Sequence, residues 1–249
     1  MVEDRRQRTD AHSRLVVLLT TEGGYIETAQ RIAETLRHHY EHVIFVVPNY
    51  ASSAGTVLTM SGDEIHMDYY SRLGPIDPQV ETASGRLVPA LGYLVQWKRL
   101  LEKADDGTLT TAEFRLMVAA FDQAELYKYE QARELSVTLL ENWLTAYKFK
   151  DWKETETNRR KVTPARRAKR AKQIGLALND TALWHSHGQG ISMEVLRNEI
   201  NLLIDDLAEN PDRHQRVKQY DGLLSDYMLK LGFQGMLHIV GRFRPLLWS

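Results

Sequence analysis

Two adjacent serines, Ser52 and Ser53, follow the apolar run "HVIFVVP" (42–48) and precede Ala54 and Gly55 in "NYASSAGTVLTM" (49–60). A strand, a tight turn of small residues and then a helix suit a nucleophilic serine. The turn lifts the hydroxyl clear of the sheet, and the first turn of the helix leaves backbone N–H groups free for a developing oxyanion. Small neighbours let a substrate carbonyl approach. A second apolar run, "RLVVLLTT" (14–21), ends in "EGG", with Gly23 and Gly24 able to turn a backbone N–H toward a ligand without a side chain in the way. Side by side, two such strand ends form an acyl-transfer site. Taken singly, each also fits an ordinary strand-to-helix turn.

The elements that must position these residues are legible from hydrophobic patterning. Both runs are continuously apolar, as strands buried on two faces are, and each is followed by helical spacing. After the glycines, Ala29, Ile32, Ala33 and Leu36 recur at helical intervals. Alternating buried strands and helices predict an α/β core with parallel strands. "DEIHM" (63–67) reads as a short strand, and "LGPIDPQ" (73–79) as a turn dense in glycine and proline. From about residue 88 the pattern becomes helical, broken at "ADDGT" (104–108) and "ENPD" (209–212). The expected organisation is a catalytic core over 1–105 and an α-helical region over 106–249.

Composition narrows the function classes. The 249 residues, 43% hydrophobic, suffice for one well-buried core plus an appendage. No cysteine is present, which excludes disulfides, thiolate zinc sites and a cysteine nucleophile. The net charge of -1 argues against a chain built throughout for nucleic acid. Eight basic residues between Arg159 and Lys172 form the strongest local asymmetry, but without interleaved aromatics they read as a solvated basic helix. No apolar run approaches the roughly 20 residues of a membrane span, and "MVEDRRQRTDAHSR" has no apolar secretion core. A cytoplasmic location is expected.

"LLTTEGGYIETAQRIAETLR" followed by "VPNYASSAGTVLTMSGDEIHMDYYSRLGPIDPQV" resembles the serine dehydrogenase proteinase family of the ClpP/crotonase superfamily, related to signal-peptide peptidase A. The likeness covers roughly 14–100, and "LWHSHGQGI" (183–191) is similar to a His-Gly element of that family. It implies a ClpP/crotonase-like fold and a serine peptidase acting on peptide or protein substrates. The family's nucleophile directly precedes Ala-Gly, which selects Ser53 over Ser52. The backbone N–H groups of Ala54 and of Gly23 or Gly24 would then hold the oxyanion. Homo-oligomerisation and peripheral membrane association are further implications, and no cofactor is implied.

The resemblance leaves the general base open. A Ser, Asp, His set in chain order selects Asp77 and His187, with Asp63 a second candidate for the acid. Signal-peptide peptidases use a lysine on a later helix, and Lys98 in "YLVQWKRLL" stands at a comparable distance. Each has a plainer role beside this one: Asp77 as a turn residue, Lys98 as a solvated lysine, His185 and His187 as helix-start partners, and His66 as a structural histidine. His185, His187 and Asp63 lack metal-ligand spacing, so no metal is expected.

Two departures from the family pattern stand out. "TEGG" replaces Thr-Pro-Gly-Gly, which keeps the glycines, and only the polar stretch 1–13 precedes the first strand, where the superfamily has another strand and helix. Either the chain is shortened or the sheet is completed differently; a missing edge strand would expose backbone groups and favour oligomerisation or aggregation. A crotonase-like acyl-CoA enzyme would use the same N–H groups without needing Ser53. A catalytically inactive ClpP-like interaction module is the other alternative.

Overall fold

The computed structural model describes residues 13–76, 79–81, 87–155, 157–184 and 190–246. Its centre is a parallel sheet in the order β1-β2-β4-β9, formed by β1 (Arg14–Leu18), β2 (His42–Val47), β4 (Glu64–Met67) and β9 (Asp205–Asp206). Register follows from Val16 beside Ile44, Ile44 beside Glu64, and His66 beside Asp205. Val43, Phe45 and Val47 on one face of β2 are fully buried, as are Ile44 and Val46 on the other. This two-sided burial accounts for the unbroken apolar run in the sequence. β1 borders the described sheet and leaves Val16 59% exposed.

The two faces are covered by different parts of the chain. On the Phe45 side lie α1 (Ile26–His39), α2 (Ala54–Thr59), α5 (Gln123–Trp143) and α6 (Pro164–Leu178), and their apolar residues form a single core cluster with Phe45, Ile65 and Met67. Burial in α1 falls on Ile26, Ala29, Ala33 and Leu36, while Ile32 is 43% exposed. The core-facing stripe is thus rotated toward Ile26 from the one the spacing suggests. On the other side Ile44 and Val46 pack with Leu207 and with Val217 of α9 (Pro211–Leu231). α3 (Ala90–Asp105) and α4 (Thr111–Ala120) precede α5, and the short α7 (Thr181–Trp184) and α8 (Met193–Asn198) follow α6.

A second, smaller sheet flanks the serine turn. β3 (Tyr50–Ala51) pairs in parallel with β5 (Arg72–Leu73), and β8 (Ile191–Ser192) joins β5 antiparallel. The predominantly helical second half therefore returns strands to both sheets. The hairpin of β6 (Gln79–Glu81) with β7 (Leu87–Pro89) follows the turn at 74–76, and that of β10 (Gly235–Ile239) with β11 (Arg242–Leu246) follows α9. Among the described residues no helix is long and apolar enough to cross a membrane.

The basic run expected to be a solvated helix is α6 and its approach. Thr163 caps it by accepting from the Arg166 N–H at 3.3 Å, and Pro164 occupies the first turn. Arg167 donates to the Trp152 carbonyl at 3.1 Å and Arg170 to the Ile200 carbonyl, so part of the charge ties loops to α6.

Candidate active site

The glycine turn and the serine turn are joined by backbone. Thr21, just past β1, bridges Ala51 in parallel: its N–H donates to the Tyr50 carbonyl at 3.1 Å, and its carbonyl accepts from the Ser52 N–H at 3.0 Å. The Thr21 hydroxyl accepts from the Gly23 N–H at 3.1 Å. Its methyl group fills the space where a Cβ on Gly55 would lie, 2.4 Å away. One threonine thus fixes the spacing of both turns.

Ser53 is the amino-terminal cap of α2, with φ 51° and ψ -119°. A non-glycine residue in this region carries strain of roughly 1–3 kcal/mol, held only where neighbours over-determine it. Those neighbours are close: a Cβ on Gly23 (φ 107°) would lie 2.6 Å from the Ser52 carbonyl oxygen, and one on Gly74 would lie 2.9 Å from Ser52 Cα. Buried Thr56 completes the clamp. Its hydroxyl lies 2.7 Å from the Ala51 carbonyl and 2.8 Å from that of Gly74, and accepts from the Gly74 N–H at 3.0 Å.

Ser53 is 7% exposed and faces a cleft of about 470 Å³, open mouth included. Gly24 and Ala54 line the same cleft. Among the described residues neither of their N–H groups donates to a protein acceptor, and no group hydrogen-bonds the Ser53 hydroxyl. The Gly23 N–H, by contrast, is committed to Thr21. Of the two glycine donors left open by the sequence, Gly24 therefore has the free one. The first turn of α1 adds Tyr25, Ile26 and Glu27, presenting the partly positive end of that helix to the cleft.

The helical half anchors the segment that follows. The Ile76 N–H donates to the Leu178 carbonyl at 3.0 Å, and Asn179 Nδ2 donates to the Ile76 carbonyl at 3.2 Å. Trp184 Nε1 donates to the Ala177 carbonyl at 2.8 Å. Ile76, which also lines the cleft, and Trp184 are therefore both held at the carboxyl end of α6. Asp77, His185 and His187 lie outside the described residues.

Other candidates lie elsewhere. Lys98 is a solvent-facing residue of α3, its side chain 78% exposed and 3.8 Å from Glu102, and it does not line the Ser53 cleft. Asp63 flanks the amino end of β4 beside Val43, whereas Ser53 follows the carboxyl end of β2. The length of β2 between those levels is roughly 13 Å at 3.3 Å per residue. There Asp63 accepts from the Val43 N–H at 2.8 Å, from Arg37 at 2.7 Å and from Lys150. Burial pushes its carboxyl up, but bonds from Lys150, Val43 and Arg37 outweigh this and hold it below its ordinary range. The Arg37 guanidinium stacks 3.6 Å over the Tyr147 ring.

His66 lies on the sheet face covered by α9. Its Nδ1 is 3.2 Å from Arg213, which can only donate, so the other nitrogen, 2.9 Å from Glu64, carries the hydrogen. Glu64, His66 and Asp205 offer three ligand atoms within 4.8 Å of one another. Arg14, His42 and Arg213 already bond to members of this group. Half-buried Lys148 also faces Asp205, Glu64 and Asp63; burial pushes its ammonium down against their attraction.

The family model for "ClpP-like SDH-type serine proteinase" matches residues 5–180, which include the serine turn, the glycine turn and three strands of the central sheet. The chain belongs to that family. This SDH-type chain is also similar to two proteins of Methanocaldococcus jannaschii named as uncharacterized, MJ0137 and MJ1495. The first is 33% identical over 141 residues, 53% of this chain and 47% of the relative. The second is 30% identical over 118 residues, 47% of this chain and 38% of the relative. The matched regions thus span less than half the length of each relative. Sequence reading singled out the serine and glycine turns but passed over Thr21, Thr56, Gly74 and Asn179. Thr56 and Gly74 stand inside the quoted motifs, while Asn179 offers no local signal.

Proposed function

We propose that the protein is a serine endopeptidase with Ser53 as nucleophile. The observation that carries this reading is the strained Ser53 backbone beside two uncommitted N–H groups in one cleft. A structural serine gains nothing from such a conformation, and an acyl-CoA enzyme using only the N–H pair would not need this side chain. In the proposed reaction Ser53 Oγ attacks the peptide carbonyl carbon and gives up its proton to a base. Gly24 and Ala54 donate to the resulting oxyanion. Collapse breaks the C–N bond, the base returns the proton to the leaving amine, and water hydrolyses the acyl-enzyme by the reverse proton path.

We assign the base to His187, oriented by Asp77. Two described neighbours support this: Ile76 lines the Ser53 cleft, and both Ile76 and Trp184 are bonded to the end of α6. The solvent-facing position of Lys98, paired with Glu102, argues against it. Labelling with a fluorophosphonate tests the whole assignment. Wild type and Ser52→Ala should label, Ser53→Ala should not, His187→Ala and Asp77→Ala should label slowly, and Lys98→Ala at the wild-type rate. Labelling that survives Ser53→Ala refutes the reading.

A further inference from the structure

The Ser53 cleft has a wall that does not come from the catalytic core. Ala132 and Ser136, one turn apart on α5, face it together with Ile26, Val57 and Ile76. The Ser136 hydroxyl is 2% exposed as a residue and donates to the Ala132 carbonyl at 2.9 Å, so its proton is committed within the helix. Ile26, Val57 and Ile76 are all buried. Among the described residues the lining has no cation, and its one carboxylate, Glu27, is exposed. Three buried apolar side chains thus line the cleft, which is bounded on the α5 side by the two smallest side chains that wall could carry short of glycine.

We propose that Ala132 and Ser136 determine substrate specificity, and that the substrates carry a small-to-medium apolar side chain on the residue whose carbonyl is attacked. This rests on the serine-peptidase reading. The link is covalent geometry: that residue's Cα is bonded to the attacked carbonyl carbon, so a carbonyl held by Gly24 and Ala54 places its side chain within the same cleft. A charged side chain placed against Ile26, Val57 and Ile76 would lose water without a countercharge on that wall. The helical half thereby acts in recognition as well as in packing. Because Ala132 sits on a long, packed helix, enlarging it shrinks the site instead of displacing the wall.

The test separates recognition from chemistry. In full-length Ser53→Ala protein, fluorescence anisotropy measures binding of a labelled Ala-Ala-X-Ala-Ala series with X as Leu, Ala, Arg or Asp. Leu should bind best, and adding Ala132→Leu should lower the Leu-to-Ala affinity ratio at least about ten-fold, the scale of a methylene's discrimination in an apolar pocket. Ser136→Val provides the same narrowing if Ala132→Leu does not fold. A ratio unchanged in the folded variant, a preference for Arg or Asp, or no binding of any member overturns the proposal. Hydrolysis of the same series by protein with Ser53 intact reads the chemistry. Leu-selective binding without hydrolysis sinks the peptidase reading and keeps the wall, whereas hydrolysis indifferent to X sinks the wall and keeps the peptidase.

Discussion

Gly23 lies so close to Ser52 that a Cβ would come within 2.6 Å of the Ser52 carbonyl oxygen and 2.9 Å of Ser53 Cβ. The contact couples the two turns directly, because moving Gly23 moves the backbone that strains Ser53. Gly23→Ala also meets φ 107°, a conformation L side chains rarely adopt. The variant should fold with a stability loss of more than about 1 kcal/mol. Fluorophosphonate labelling should slow about a hundred-fold, the effect of misplacing reacting groups by about 1 Å. Thermal unfolding and labelling rates, taken on the same preparation, check both halves.

Thr21 carries two separable duties, and paired substitutions distinguish them. Thr21→Val keeps a methyl against Gly55 but removes the acceptor for the Gly23 N–H. The loss should be about 1 kcal/mol of stability, with a larger proportional fall in labelling because the freed glycine turn no longer holds its register. Thr21→Ser keeps the hydroxyl and loses the methyl, so labelling should stay near the wild-type rate. Equal labelling by both variants would show that the hydroxyl bond does not order the turn.

The helical half should matter to Ser53 through Ile76. Asn179→Ala removes the donor to the Ile76 carbonyl and strips Arg133 Nε of its 3.2 Å acceptor, leaving only the Ile76 N–H bond to Leu178. A stability loss of about 1–3 kcal/mol is expected from the buried groups left unpaired. Labelling should slow even at temperatures where the variant is fully folded. Unimpaired labelling in the folded variant would confine Asn179 to a structural role.

What was legible in the sequence was whatever local chemistry dictates. Strands buried on both faces must be continuously apolar, so β1 and β2 announce themselves, and glycine pairs and small-residue turns mark their ends. Ile32 shows the limit even there: its spacing fits the core face of α1, yet α1 buries Ile26 and leaves Ile32 43% exposed. Contacts across long separations left no local trace. Asn179 reaches Ile76 across 103 positions, and Ala132 and Ser136 look like ordinary helix residues until α5 is laid across the serine turn. Asp63 misled in the opposite direction, since its position in a motif says nothing about which end of the sheet it occupies.

Asp63 therefore supplies a prediction in which stability and reactivity part company. Its side chain is 3% exposed and that of Arg37 is 7% exposed, so neutralising Asp63 leaves a buried guanidinium without its countercharge. Asp63→Asn should lose about 3–5 kcal/mol at neutral pH. Because Asp63 lies at the sheet end remote from Ser53, labelling of the folded variant should match wild type. The folded carboxyl titrates below its ordinary 3.8, so the folded state binds fewer protons than the unfolded state near that pH. The ionised carboxylate's stabilisation is then fully present above the unfolded value and is lost as pH falls through the folded one. Urea unfolding of the two proteins should therefore give midpoints well separated at pH 7 and converging below pH 3.8. A gap that persists through acidification would mean that the loss in Asp63→Asn comes from amide packing and not from the removed charge.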